Sequence, residues 1–215
     1  MLIPRKFFAR PSVEVAPDLL GSVLEHETAD GLVAVELTEV EAYAGRSDPA
    51  SHAYRGKTAR NAVMFGPPGH AYVYFTYGMH FCVNVVCLGE EGSASAVLLR
   101  AGRVIAGEEL ARVRRTRGTI AIAPRDLARG PARLCRALGI DRSQNGADMV
   151  SAGSPLRMLS EAECYERCYG WRYDEDSVKV LPRGGAVPPE QPGDVGERLR
   201  ALLELRLDAR EPEAA

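Results

Sequence analysis

Five strand-length stretches of this chain fall into two runs, and within each run the turns are too short for anything but antiparallel pairing. Residues 22–27 and 32–43 flank the turn Thr28-Ala29-Asp30-Gly31. Residues 71–76 and 80–88 flank the bend Tyr77-Gly78, and residues 95–101, closing in Arg100, follow a turn over 89–93. Parallel neighbours need a crossover of a dozen or more residues, whereas hairpins need two to five, so these segments specify an antiparallel sheet. Helical signals lie outside this run. Pro17 opens and Gly21 ends a short helix over 16–21, a basic helix covers 107–117, and Pro131 and Gly139 bracket another over 130–139. Strands grouped with hairpins and helices set apart make an α+β chain. The 215 residues, 46% of them hydrophobic, suffice for one compact domain over 1–215. Beyond Gly146 the expectations are a helix over 160–169, a flexible Pro/Gly-rich segment over 183–195, an amphipathic helix over 196–210 and a disordered tail over 211–215.

The second strand breaks its own pattern. Val33, Val35, Leu37, Glu39, Glu41 and Tyr43 share one face if alternation is unbroken, so an apolar face runs into two carboxylates and a phenol. Such conflicts between patterning and chemistry mark functional sites. Just beyond lies a polar loop over 44–61, then the turn Gly66-Pro67-Pro68-Gly69 and the aromatic hairpin carrying Tyr72, Tyr74 and Tyr77.

Composition narrows the partners. The apolar runs are too short to cross a bilayer and residues 1–8 carry no signal-peptide pattern, so the expected setting is cytoplasmic, with no membrane contact. Five cysteines, an odd number, do not form a disulfide framework, and Cys164 and Cys168 lack companions at zinc spacing. His26, His52, His70 and His80 match no metal motif, so neither metal nor cofactor is expected. The net charge is only −2, but ten arginines fall between Arg100 and Arg136 against Glu108, Glu109 and Asp126. Arg55, Lys57 and Arg60 form a smaller cluster. Local bias of this kind serves either as a phosphate-binding face or as a solvated helix surface.

The residues suit one chemistry in particular. Hydrolysing an N-glycosidic bond takes a base for the attacking water and stabilisation of the sugar cation; a single carboxylate can do both. Glu41 is preferred over Glu39 because Tyr43 follows it on the same face. Aromatic stacking is worth roughly 1–3 kcal/mol per base, offsetting much of the few kcal/mol spent in unstacking one. Tyr43, Tyr72 and Tyr74 can supply it, and Tyr77 can fill the gap left in a duplex. His52 and Asn84 can read a base edge. Arg100 ends an otherwise apolar strand and needs an anionic partner, which Glu41 would provide. The plainer use of Phe75 and Phe81 is packing within the hairpin.

Taken in order, Glu39-Val40-Glu41-Ala42-Tyr43, His52, Met64-Phe65, the segment from Tyr72 through Tyr77-Gly78-Met79-His80 to Asn84, Val97-Leu98-Leu99-Arg100-Ala101 and Gly130-Pro131-Ala132-Arg133-Leu134-Cys135 resemble the alkyladenine (3-methyladenine) DNA glycosylase family. The resemblance implies a single domain on a curved antiparallel sheet with a protruding β-hairpin, flanked by helices. It implies that Glu41 is the general base and that Arg100 helps hold the water. Tyr43 and Tyr74 would sandwich the flipped base, with His52 bonding from the pocket side and Asn84 crowding the amine of normal guanine. Tyr77 would be the wedge, Met79 and Met64 would face the groove, and Arg60 and Arg133 would meet phosphates. The implied enzyme is a metal-independent, monofunctional N-glycosyl hydrolase acting as a monomer on double-stranded DNA that contains damaged purines. Its bases would be 3-methyladenine, 7-methylguanine, hypoxanthine and ethenoadenine. No lysine lies in the Glu41 or Tyr72–Asn84 motifs to act as a Schiff-base nucleophile, so no strand-cleaving lyase step is expected. After Asp141 the chain departs from the family's pattern, so a catalytically weak lesion-binding module of the same fold is a rival reading; a hydrolase of free nucleosides, whose substrate binding would be insensitive to salt, is a second.

Overall fold

The computed structural model describes residues 1–89, 93–116 and 121–160, together with the backbone of Trp171–Asp174 and Lys179–Pro182. The chain divides into two compact units, Met1–Glu161 and Ala162–Ala215. Every candidate site residue lies in the first. In the second, the described backbone is one antiparallel hairpin pairing Trp171↔Pro182 through Asp174↔Lys179. The helices expected over 160–169 and 196–210, the segment 183–195, the tail 211–215 and the Cys164/Cys168 pair fall outside the described residues.

The first unit is α+β, built on a curled, wholly antiparallel sheet. Its strands are β1 (Val23–Thr28), β2 (Gly31–Tyr43), β3 (Ala71–Thr76), β4 (His80–Cys87), β5 (Ser95–Ala106), β6 (Ala128–Arg129) and β7 (Leu156–Leu159). They lie in the order β3-β4-β5-β2-β1-β7, with β6 added to β5. Four helices accompany them: α1 (Arg5–Phe8), α2 (Ser12–Asp18), α3 (Glu108–Arg115) and α4 (Pro131–Leu138). Helix α4 starts at Pro131 and stops where Gly139 turns left-handed at φ 71°. It buries Leu134, Cys135, Ala137 and Leu138 completely or nearly so. Each buried leucine contributes about 1.5–3 kcal/mol relative to exposure.

Three local expectations are corrected. Helix α2 begins after Pro11, one turn earlier than 16–21, and carries Pro17 in its interior near the end. Strand β5 does not end at Arg100 but continues to Ala106, where it pairs with Ala34. The loop over 44–61 is not merely a surface loop: Ser51, Ala53 and Asn61 are buried and it folds over one face of the sheet.

The two faces of the sheet have different tasks. Val33, Val35 and Leu37 of β2, Val83 and Val85 of β4, and Val97 and Leu99 of β5 join α4 and α2 in the main core. On the other face, Tyr72, Val86 and Ala96 meet Ala53 and Met64 from the covering loop in a smaller cluster. The supposed conflict on β2 is resolved by bulges. Leu37 pairs with Gly102 and Glu39 with Ala101, so Thr38 is an extra residue; Val40 then pairs with Leu99, so Arg100 is extra on β5. An extra residue reverses alternation. Val40 therefore packs on the main core, while Glu39, Glu41 and Tyr43 share the opposite face. Gly102 is required here because a Cβ would collide with the Glu36 carbonyl and the Val35 side chain.

Strand β3 lies at the end of the sheet, and its free edge is partly occupied. Ala71 N donates to Ala147 O at 2.9 Å, Gly146 N to Ala71 O at 2.8 Å, and Val73 N to the Asn145 side chain at 2.9 Å.

Candidate active site

Residues directly opposite on antiparallel strands project to the same side. The pairings Tyr72↔Asn84, Asn84↔Leu98 and Leu98↔Glu41 therefore set one row of side chains across four strands, on the face away from the main core. A neighbouring row runs Val86↔Ala96↔Tyr43. Above these rows the loop supplies Ala50, His52 and Met64, and with Tyr43, Tyr72, Tyr74 and Asn84 they line a small, open cleft. Glu41 and Arg100 do not line the cleft; Tyr43 connects them to it.

Aromatic rings dominate the cleft. Tyr72 and Tyr74 stack with centroids 5.5 Å apart, and His52 meets Tyr74 edge-on at 4.6 Å. His52 Nδ1 lies 2.9 Å from the Tyr72 hydroxyl. The loop carrying His52 is anchored by buried Asn61, whose Nδ2 donates to the carbonyls of His52 at 2.8 Å and Gly56 at 3.0 Å. Asn84 is 3% exposed and donates to the Tyr72 carbonyl at 3.1 Å, which fixes its amide plane. Ser12 at the start of α2 donates to the Tyr43 carbonyl at 3.0 Å and so pins the end of β2.

Beside Tyr43 lies the charged cluster that the bulges create. Arg100 Nε donates to Glu39 at 2.6 Å, and its Nη1 donates to Glu41. The Tyr43 hydroxyl donates to the other Glu41 oxygen at 3.1 Å. Hydrogen bonding to Glu39, then to Glu41, holds Arg100 above its ordinary pKa. Burial, reinforced by the bond to Glu41 and that group's charge, pushes the Tyr43 phenol up to about 12, so it remains a donor throughout the neutral range. Burial likewise raises Tyr74, with Cys82 adding to it, and raises Tyr72 against the opposing charge of Arg60. His52 is shifted down, first by burial and then by Arg60, so its imidazole is neutral at pH 7. The cleft thus offers neutral rings and neutral hydrogen-bonding groups, with charge kept at its mouth.

The structure brings Glu41, Arg100 and Tyr43 together, and gathers Tyr43, His52, Tyr74 and Asn84 round one cleft. Tyr77 and Met79 stand apart on the β3–β4 turn, 88% and 68% exposed. Met79 N donates to Thr76 O at 3.2 Å, and Tyr77 and Gly78 both carry positive φ, 49° and 67°. A tyrosine in that region is held under strain of order 1 kcal/mol. Arg60, exposed, reaches the Phe75 carbonyl of the same hairpin at 3.3 Å. Arg133 is exposed on α4, away from the cleft, where it and Arg136 add to burial in lowering the Arg115 pKa. Met64 is a correction: expected to face the groove, it is 3% exposed and forms part of the cleft wall, because the loop turns it down onto Tyr72. Phe75, though 38% exposed, packs across the hairpin against Phe81 at 5.0 Å, as expected. Sequence reasoning passed over Glu39 as a partner of Arg100, Asn61 as the loop's anchor, and Tyr72 as the partner of His52. Tyr72 alone had left a signal, by alternating with Tyr74.

Among the described residues no group of three or more His, Cys, Asp or Glu side chains could hold a metal ion, and no helix is long and apolar enough to cross a membrane. A carboxylate tied to a guanidinium at the mouth of an aromatic slot suits chemistry on a flat heterocycle such as a nucleobase. This chain is a DNA glycosylase, an enzyme of DNA repair. More particularly, it belongs to the methylpurine-DNA glycosylase (MPG) family, whose sequence model matches residues 6–173. It is 61% identical to a Streptomyces avermitilis protein over 184 residues, covering 85% of this chain and 80% of that one. Identity is 56% over 149 residues to a Leifsonia xyli protein (68% and 70% covered), and 48% over 152 residues to one from Methanocella arvoryzae (71% and 74%). All three carry the name "Putative 3-methyladenine DNA glycosylase". The family match continues well past Asp141, correcting the departure expected there. Asn145 to Ala147 flank β3, and Leu156–Leu159 extends the sheet beside β1.

Proposed function

We propose that the protein is a monofunctional glycosylase that draws a damaged purine out of duplex DNA and hydrolyses its N-glycosidic bond, leaving an abasic site. The observation that carries this reading is the cluster of Glu41, Arg100 and Tyr43 at the mouth of the aromatic cleft. Glu41 takes a proton from the attacking water and its charge stabilises the sugar cation as the bond breaks; such help is worth ~10²–10⁴ in rate. Arg100 holds the water's oxygen. Tyr43 and Tyr74 bracket the base, His52 donates to it, and Asn84 leaves no room for the exocyclic amine of guanine. Tyr77, with Met79 behind it, occupies the gap in the duplex, while Arg60 and Arg133 meet phosphates.

The bases that suit a slot of neutral donors and flat rings are 3-methyladenine, 7-methylguanine, hypoxanthine and ethenoadenine. The reaction needs no metal or cofactor, since a carboxylate suffices for the water. It stops at the abasic site, because none of the cleft residues is an amine able to form a Schiff base. One copy acts on one lesion, in the compartment that holds the chromosome.

The test is single-turnover base release from a hypoxanthine-containing duplex, wild type beside Glu41→Gln. Release by the wild type alone is expected. Equal release by both removes Glu41 from the mechanism. If neither acts on hypoxanthine, duplexes carrying 3-methyladenine and 7-methylguanine come next, and binding without release from all three makes the protein a lesion-binding module.

A further inference from the structure

Glu39 has no part in the reaction as set out above, yet the backbone goes to some length to place it. The two bulges lie at the same point of the β2–β5 ladder, one adding Thr38 and the other Arg100. Without Thr38, Glu39 and Glu41 would both turn towards the main core. Arg100, the extra residue on β5, has no single partner in the ladder and faces the step between the two carboxylates. The result is one guanidinium shared by two acids: Nε on Glu39 at 2.6 Å and Nη1 on Glu41. Arg100 is 35% exposed and Glu39 52%, so neither is forced into this contact by burial. Glu39 also walls a second, separate cleft with Thr38, Ala101, Gly102, Arg125 and Arg129.

A guanidinium beside a lone carboxylate favours the two-pronged, parallel arrangement, in which both carboxylate oxygens are taken by one arginine. At Glu41 that arrangement would displace the Tyr43 hydroxyl, which donates to Oε1 at 3.1 Å, and would cover the lone pairs that a water needs. With Nε committed to Glu39, the side-on edge of Arg100, the one best matched to a carboxylate, is taken up, and Glu41 receives Nη1 on Oε2. Its other oxygen keeps the tyrosine and an open acceptor site.

We propose that Glu39 is a positioning residue for the glycosylase reaction, holding Arg100 by its Nε so that the guanidinium directs the water instead of clamping the general base. This rests on the reading of Glu41 and Arg100 given under Proposed function. Glu39 touches neither base nor water and acts only through Arg100.

The test is a double-mutant cycle with a second, turnover-free readout. Glu39→Ala is expected to lower the single-turnover rate roughly tenfold, the equivalent of one charge-assisted hydrogen bond, with duplex affinity within about twofold of wild type, since the contacts to DNA are untouched. Glu39→Gln, whose amide oxygen can still accept from Nε, should recover most of the rate. In an Arg100→Ala background, Glu39→Ala should cost nothing further, because residues acting as a unit are not additive. The same tenfold loss in both backgrounds would overturn the proposal and leave Glu39 a structural residue. On the free protein, the Arg100 Nε–H resonance, identified by its loss in Arg100→Lys, should shift and exchange faster in Glu39→Ala. An unchanged resonance would also overturn the proposal. If the wild type releases no base, the functional reading fails on its own while the resonance still decides whether Glu39 holds Arg100. Should Glu39→Ala not fold, Glu39→Asp, too short to reach Nε, takes its place in both measurements.

Discussion

Replacing Tyr72 by Phe removes one oxygen from a buried position and leaves the ring stacked on Tyr74. Tyr72 is 1% exposed and its hydroxyl meets His52 Nδ1 at 2.9 Å. Because burial raises the phenol's pKa and lowers that of the imidazole, both are neutral at pH 7. The phenol keeps its proton and donates it, Nδ1 accepts, and the ring's own hydrogen sits on Nε2, turned towards whatever fills the cleft. Tyr72 thus selects the tautomer of His52. A hydrogen bond of this kind is worth about 0.5–1.5 kcal/mol net. In a unit of this size each kcal/mol is about 2–4 °C of melting temperature, so Tyr72→Phe should melt a few degrees lower. The same energy expressed in the transition state is roughly a two- to tenfold loss of single-turnover rate. Long-range proton–nitrogen spectra of the free protein should show His52 as the Nε2–H form in wild type and as a mixture in the variant. An Nδ1–H wild type, or a variant that keeps Nε2–H alone together with full activity, would refute the reasoning.

Three further outcomes follow from the geometry. Tyr77→Gly should relieve left-handed strain and raise or preserve the melting temperature, since the penalty is of order 1 kcal/mol, while base release from duplex DNA falls; parallel losses in both would show that the tip has a packing role. Gly102→Ala should cost 2 kcal/mol or more, roughly, because the new methyl meets a backbone carbonyl that cannot retreat, and urea denaturation reads this directly. Acid should weaken the fold through His26, which is 3% exposed and bonded to the Leu138 carbonyl at 2.9 Å, and whose pKa is lowered chiefly by burial and next by Arg114. The unfolded chain takes up its proton near pH 6.5 while the folded one resists, so stability is complete above that value and declines as pH falls below it. Urea midpoints at pH 7.5 and 5.5 measure the slope, His26→Asn should flatten it, and a rise towards pH 5.5 would contradict the assignment.

Much of this architecture could be read from residue order alone, where local signals were strong. The hairpins at 28–31 and 77–78 and the helix between Pro131 and Gly139 announce themselves by turn chemistry and alternation. Glu41, Tyr43, Tyr74 and Arg100 could be singled out because charge and aromaticity interrupt apolar strands. What stayed hidden depends on contacts remote in sequence. The bulge at Thr38 has no signature of its own; only the partner strand reveals that alternation has slipped, and with it the true face of Glu39. Met64 looked exposed because nothing nearby shows that its loop folds back over Tyr72. Strand β7 pairs with β1 across 130 residues, and a four-residue apolar run gives no hint of that. Pro17 misled because proline more often opens a helix than sits in its last turn.

Any sheet that carries its working hairpin at one end leaves a row of amides and carbonyls facing outward, and such rows invite other chains to add a strand. In this protein Ala71 and Val73 already have partners in Asn145, Gly146 and Ala147. The guard covers the root of the hairpin and leaves its tip free. That division leaves the exposed tip available while the edge at its root is closed to strand addition by another copy.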